Sequence, residues 1–141
     1  MSKKLRLTIR SFSYKNGIPK DEFGHGGGFV FDCRGILNPG RLEEYKCQTG
    51  RDESVKDFLE NQTKMPKFLE SMIGVVEVSV QDYLARNFTH LEVNFGCTGG
   101  QHRSVYATDY LADYISKNYP EVEVHVQHLV QDAKNWINEP I

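Results

Sequence analysis

His90-Leu91-Glu92-Val93-Asn94-Phe95 alternates apolar and polar residues and runs without a break into Gly96-Cys97-Thr98-Gly99-Gly100-Gln101-His102-Arg103-Ser104. A helical pattern then extends from Arg103 to Asn118, with Val105, Thr108, Ala112 and Ile115 on one face and Pro120 as its stop. A strand that turns through glycines straight into a helix leaves the helix's first N–H groups pointing into the turn, where the helix dipole adds positive potential. Glycines allow the backbone to approach an anion closely and to turn through positive φ. The segment therefore reads as a phosphate seat. Gly99 and Gly100 offer main-chain donors and Arg103 a two-pronged guanidinium. Thr98, Gln101 and Ser104 add polar side chains, and His102 donates if protonated.

The rest of the chain gives that loop a setting. Leu5, Leu7 and Ile9 alternate with Arg6, Thr8 and Arg10, predicting a half-buried first strand that continues through Tyr14. Lys15-Asn16-Gly17-Ile18-Pro19 ends it, and a flexible glycine stretch, Gly24-His25-Gly26-Gly27-Gly28, follows. Residues 29–34 form a second strand whose end carries Asp32, Cys33 and Arg34, and Asn38-Pro39-Gly40 is a turn. Ser54, with Asp57 three residues on, is placed as the cap of a helix bearing Val55, Phe58 and Leu59. Pro66 opens a second helix, with Leu69, Met72, Ile73, Val76, Val80, Tyr83 and Leu84 at core spacing. Val122, Val124 and Val126 mark a fourth strand, and the tail after Leu129 is expected to form a short helix around Trp136. Strand, helices, strand, helix, strand is the order of a single α/β domain over residues 1–141. Its sheet is mostly parallel or mixed, of about four strands, with flanking helices. Ligands of such sheets sit beyond the strands' carboxyl ends. Candidate lining residues are therefore His25, Asp32, Arg34, Asn38, Thr49, Gly50 and His128.

Composition narrows the function. No apolar run approaches the ~20 residues of a membrane span, and Met1-Ser2-Lys3-Lys4 leads into strand pattern rather than an apolar leader. Three cysteines without a C-x-x-C pair suit reduced thiols in a cytoplasmic protein. No ligand spacing calls for a metal, and no cofactor is expected. The net charge is −2, but residues 1–51 hold ten Lys/Arg against five Asp/Glu, and residues 52–141 hold seven against fourteen. The balance argues against strong non-specific nucleic-acid binding. The basic third still makes Arg6, Arg10, Lys15 and Lys20 the candidate RNA contacts. No G-x-x-x-x-G-K-[ST] occurs, so ATP hydrolysis is not expected.

Two resemblances follow from these residues. Cys97, Gly100, Arg103 and Ser104 fit C-x-x-G-x-x-R-[ST], which is similar to the signature of protein tyrosine phosphatases. It implies Cys97 as a thiolate nucleophile with Arg103 on the phosphate. Gly96 stands where that family commonly has histidine, and no general-acid loop around an aspartate is recognisable, Asp21 and Asp32 being the only possible acids, so packing or ligand lining ranks ahead of catalysis.

The broader resemblance covers roughly residues 9–128. Ser11-Phe12-Ser13-Tyr14-Lys15-Asn16-Gly17-Ile18-Pro19, Phe29-Val30-Phe31-Asp32-Cys33-Arg34, Thr49-Gly50, and Gly96 to Tyr106 together resemble the C-terminal domain of the RapZ (RNase adapter protein) family, also called the YvcJ family. That resemblance implies a phosphofructokinase-like α/β fold and sensing of glucosamine-6-phosphate. It also implies binding of a small regulatory RNA that is delivered to an RNA-processing enzyme. A homo-oligomer is compatible with it. The family's P-loop half is not among these residues, so its nucleotide chemistry is not carried over.

Overall fold

The computed structural model describes residues 5–139; Met1-Ser2-Lys3-Lys4 and Pro140-Ile141 lie outside it. Four strands, β1 (Leu5–Ser13), β2 (Phe29–Asp32), β3 (His90–Cys97) and β4 (Val122–His128), form one sheet in the order β2-β3-β1-β4. Every pairing is parallel. Helices α1 (Glu53–Gln62) and α2 (Met65–Ala85) connect β2 to β3. Helix α3 (Arg103–Asn118) connects β3 to β4, and α4 (Leu129–Ala133) follows β4. No helix among the described residues is long and apolar enough to cross a membrane.

Register explains why the helices lie on one side. Leu7 pairs with Leu91, Ile9 with Val93, and Phe31 with Phe95, so the apolar residues of neighbouring strands share a face. Leu69, Met72, Val76 and Val80 of α2, and Ala107, Leu111 and Ile115 of α3, complete that core. Burying Leu5, Leu7 and Ile9 completely contributes roughly 1.5–3 kcal/mol each. The Val-rich α2 is thus held by packing rather than by propensity.

The other face of the sheet is polar, and it is not open to water as simple alternation suggests. Thr8, Arg10, Glu92 and Asn94 are all buried there. Residues 17–28 run across this face as a strap. Glu22 reaches Arg10 (3.4 Å), the Phe23 ring lies beneath the Arg6 guanidinium (5.0 Å) and stacks on His90 (4.4 Å). Asp21 ties the strap together by accepting from the N–H groups of Phe23, His25 and Gly26.

Two local expectations are corrected. The cap position of α1 is Asp52, not Ser54, which lies in the first turn and bonds Gln48 instead. Trp136 is not helical. It follows α4 at φ +59°, with its indole N–H donating to Asp132. Strands β1 and β2 end one and two residues earlier than expected, and β3 runs on through Cys97.

Candidate functional site

The carboxyl ends of β1 and β3 stand side by side, with Ser13 paired to Cys97. Between them and the start of α3 lies a hollow of about 200 Å³, lined by Lys15, Asn38, Cys97, Thr98, Gly99, Gln101, His102 and Arg103. Its floor is fixed by β1, since the Ser13 hydroxyl donates to the Thr98 carbonyl (2.5 Å). Gly100 turns the chain at φ +64°, and a Cβ there would meet Val130 at 2.7 Å. Helix α3 begins at Arg103, and His102 at its cap position makes no side-chain capping bond, so its first N–H groups are left for whatever enters the hollow.

A brace, residues 45–52, holds the far wall. The Gln101 amide donates to the carbonyls of Lys46 (2.7 Å) and Gln48 (2.8 Å). His102 Nε2 donates to the Tyr45 carbonyl (2.8 Å), and Gly50 N–H donates to the Gln101 carbonyl (3.0 Å). Gly50 must be glycine, because a Cβ would run into the His102 carbonyl and the Tyr106 nitrogen. Burial holds the His102 pKa below the usual imidazole value, and the Arg103 charge adds to this against the Tyr45 hydrogen bond. The ring is therefore neutral at pH 7 and, with its proton on Nε2, presents Nδ1 as an acceptor. The condition set by the sequence for donation to an anion, a protonated ring, is not met at pH 7.

Arg103 is only 4% exposed. Its Nη1 donates to the carbonyls of Arg34 (3.1 Å) and Ile36 (2.7 Å), while Nε is buried without a partner. Asp32 feels its field but is committed to Arg34, which grips both carboxylate oxygens and lies over the Tyr14 ring at 3.7 Å. The Arg34 hydrogen bonds, with lesser help from Arg103, hold the Asp32 carboxyl below its usual range. A buried guanidinium without a counter-charge is costly, and an anion in the hollow relieves it.

The other sequence candidates divide between the hollow and elsewhere. Asn38 lines it, and Lys15, expected as an RNA contact, joins it as well. Ser104 does not, since it is fully buried with its hydroxyl 3.0 Å from the Cys97 thiol. Thr49 caps the brace through Asp52 (2.7 Å to Oδ2). His25 is corrected outright, because it packs near His90 at the amino end of β3, the opposite end of the sheet. His128 is also elsewhere. It is 1% exposed and lies between the Ser11 hydroxyl (2.6 Å) and Asp109 (2.8 Å), which in turn holds Arg51 (2.8 Å). Arg10 cannot serve as a surface contact, being enclosed by Gln127 (2.8 Å), Asn94 (3.3 Å) and Glu92 (3.3 Å). Arg6 is half-buried against Phe23, whereas Lys20 is exposed. No cluster of three or more metal-ligating side chains occurs among the described residues.

Sequence reasoning missed the brace carbonyls of Tyr45, Lys46 and Gln48, which carry no side-chain signal. It named Lys15 only as an RNA contact and missed its place at the hollow, although a cation two residues past a strand's carboxyl end was the available clue.

An all-parallel sheet with helices on one face and a polar hollow at its strand ends defines an α/β binding domain. The chain belongs to the RapZ C-terminal domain family, whose model matches residues 5–132. A nucleotide-binding protein of Endomicrobium trichonymphae is 38% identical over 116 residues, 82% of this chain and 39% of that protein. One from Fusobacterium nucleatum is 34% identical over 134 residues, 94% of this chain and 44% of its own length. A third, from Bacillus velezensis, is 34% identical over 122 residues, covering 86% and 39%. The chain thus spans about two-fifths of the length of the curated relatives it matches.

Proposed function

We propose that this domain is a regulatory sensor that takes a small phosphorylated metabolite into the hollow at the start of α3. The observation that carries the reading is Arg103, a buried guanidinium with no ion-pair partner among the described residues, set beside an uncapped helix start. Lys15 supplies a second positive charge at the rim. The Nδ1 of His102 accepts from a hydroxyl or ammonium on the same ligand, which suits a phosphorylated sugar, with glucosamine-6-phosphate as the first candidate from the family resemblance. The relatives' common description as nucleotide-binding is compatible with phosphate recognition, but those proteins are more than twice as long.

An RNA adapter role in this chain rests on Lys15 and Lys20 alone among the original four candidates, because Arg10 is enclosed and Arg6 is stacked. The hydrolytic alternative has less support. Asp32 is paired with Arg34, Asp21 holds the strap together, and the Cys97 thiol bonds Ser104.

Titration with glucosamine-6-phosphate, watched by amide chemical shifts, tests the reading. Shifts are expected at residues 98–103, and Arg103→Lys weakens binding at least tenfold, about 1.4 kcal/mol, because an ammonium cannot reproduce the planar fork. Absence of shifts in that segment at millimolar ligand and millimolar inorganic phosphate alike overturns it.

A further inference from the structure

Strand β2 stops at Asp32, but its ladder with β3 continues for one more step. Phe29 pairs with Val93, Phe31 with Phe95 and Asp32 with Gly96. The Cys33 N–H then donates to the Gly96 carbonyl at 2.7 Å, the bond that places Cys33 opposite Cys97 in a parallel pair. Side chains alternate with period two along a strand, so Cys33 follows Phe29 and Phe31, and Cys97 follows Val93 and Phe95, onto the apolar face. Both cysteines belong to the core, and both are free thiols. Neighbouring strands lie about 4.8 Å apart. That falls within the roughly 4.4–6.8 Å of Cα separation that a disulfide spans without moving the backbone. The two sulfurs also feel each other: burial pushes the Cys33 thiol far up, and Cys97 adds to the effect.

The two thiols differ in access. Cys33 is sealed in the core, whereas Cys97 lines the hollow at the start of α3. We infer that Cys33 and Cys97 are a reversible dithiol–disulfide pair, oxidised by a peroxide that reaches Cys97 through the hollow. The Cys97 thiolate attacks one peroxide oxygen. An S–O bond forms, the O–O bond breaks, and the departing hydroxide leaves as water with the proton that the thiol gave up. Ser104 Oγ lies 3.0 Å from Cys97 Sγ, and its hydroxyl is the only donor of the two once the sulfur is deprotonated. Cys33 then attacks the sulfenic sulfur. An S–S bond forms, the S–O bond breaks, and the second hydroxide takes the Cys33 proton as water. Two thiols are oxidised by two electrons, and one peroxide is reduced to two waters. Cys33, buried and protonated, is inert until its neighbour becomes the electrophile. The bridge ties the first turn of the glycine loop to the segment that follows Cys33, whose Arg34 and Ile36 carbonyls hold Arg103.

Hydrogen peroxide added to the folded Cys47→Ser chain, which lacks the exposed native thiol, tests the pair. Both remaining thiols are expected to be lost to alkylation in denaturant, peptide mapping finds the Cys33 and Cys97 peptides joined, and dithiothreitol returns both thiols. In the same background Cys33→Ala stops at a sulfenic acid on Cys97 that dimedone captures, and Cys97→Ala leaves Cys33 unmodified. The first measurement uses the native pair, so it stands whether or not either alanine variant folds. Retention of both thiols in the peroxide-treated chain overturns the inference. Passage of Cys97 to the sulfinic acid with Cys33 still free does so too, as does oxidation of Cys33 at an undiminished rate in folded Cys97→Ala.

Discussion

His102 and Arg103 are adjacent, both buried, and do opposite things. Arg103 keeps its charge inside the protein, while His102 is kept neutral by burial and by that charge. The difference has a measurable sign. The folded-state pKa of His102 lies below its unfolded value, so between the two the unfolded chain binds more protons. Stability is therefore complete above about pH 6.5 and declines as pH falls below it. His102→Gln keeps an N–H donor for the Tyr45 carbonyl and removes the titration. Urea unfolding of this variant at pH 7 and pH 5.5 is expected to give more similar midpoints than the native protein gives. A native-like fall in the variant contradicts this account. Residue types alone made Arg103, His102 and the glycines legible as a candidate site, because their chemistry is local. The protonation of His102 was not legible, since it depends on burial against residues 45–52, fifty or more positions away.

Among the elements, α3 is braced along its first half. Gly50 presses against its first turn, and further along Asp109 joins His128 of β4 to Arg51, the residue next to Gly50. Arg51 also lies over the Trp136 ring at 4.2 Å, so the end of the chain is tied to the same knot. Burial alone would raise the Asp109 carboxyl, but hydrogen bonds from His128 and Arg51 outweigh it and hold the pKa below the usual range. The stability this gives is present above about pH 4 and is lost as pH falls through the lowered pKa. Asp109→Asn is expected to cost about 2 kcal/mol at pH 7 and to shrink the difference in stability between pH 5 and pH 3. Chemical denaturation across that range checks it, and an unchanged acid limb rules the knot out as its source. The helix itself was readable from its spacing, as were α2 and all four strands. Ser54 was misread as a cap because its pattern with Asp57 fits one, while Asp52 was already engaged in a turn with Thr49. The short helix expected in the tail after Leu129 forms as α4, but it stops before Trp136, whose indole bonds Asp132 and lies against Arg51.

For the whole molecule, the sheet has two unlike faces with unlike covers. One is packed by helices over an apolar core, and the other is roofed by a strap that has glycines at positive φ at positions 17, 24, 26 and 27. Opening the strap disturbs a few polar contacts, whereas exposing β1 requires unfolding the core. Amides of β1 are accordingly expected to exchange with solvent at least a hundredfold more slowly than those of residues 20–28 in native-state hydrogen exchange. Comparable rates contradict the two-cover description. Alternation in the sequence assigned Arg6, Thr8 and Arg10 to the correct face. It gave no sign that this face is covered, because a glycine-rich strap has no periodicity to read. One detail at the head of the loop also limits what descent can make of this fold. The space a side chain at position 96 would need is already filled by the rings of Phe12 and Tyr14. A lineage starting from this chain therefore cannot reach the histidine-preceded thiol of the phosphatases by a single replacement. The two aromatic rings must first give way, and the end of the central strand with them.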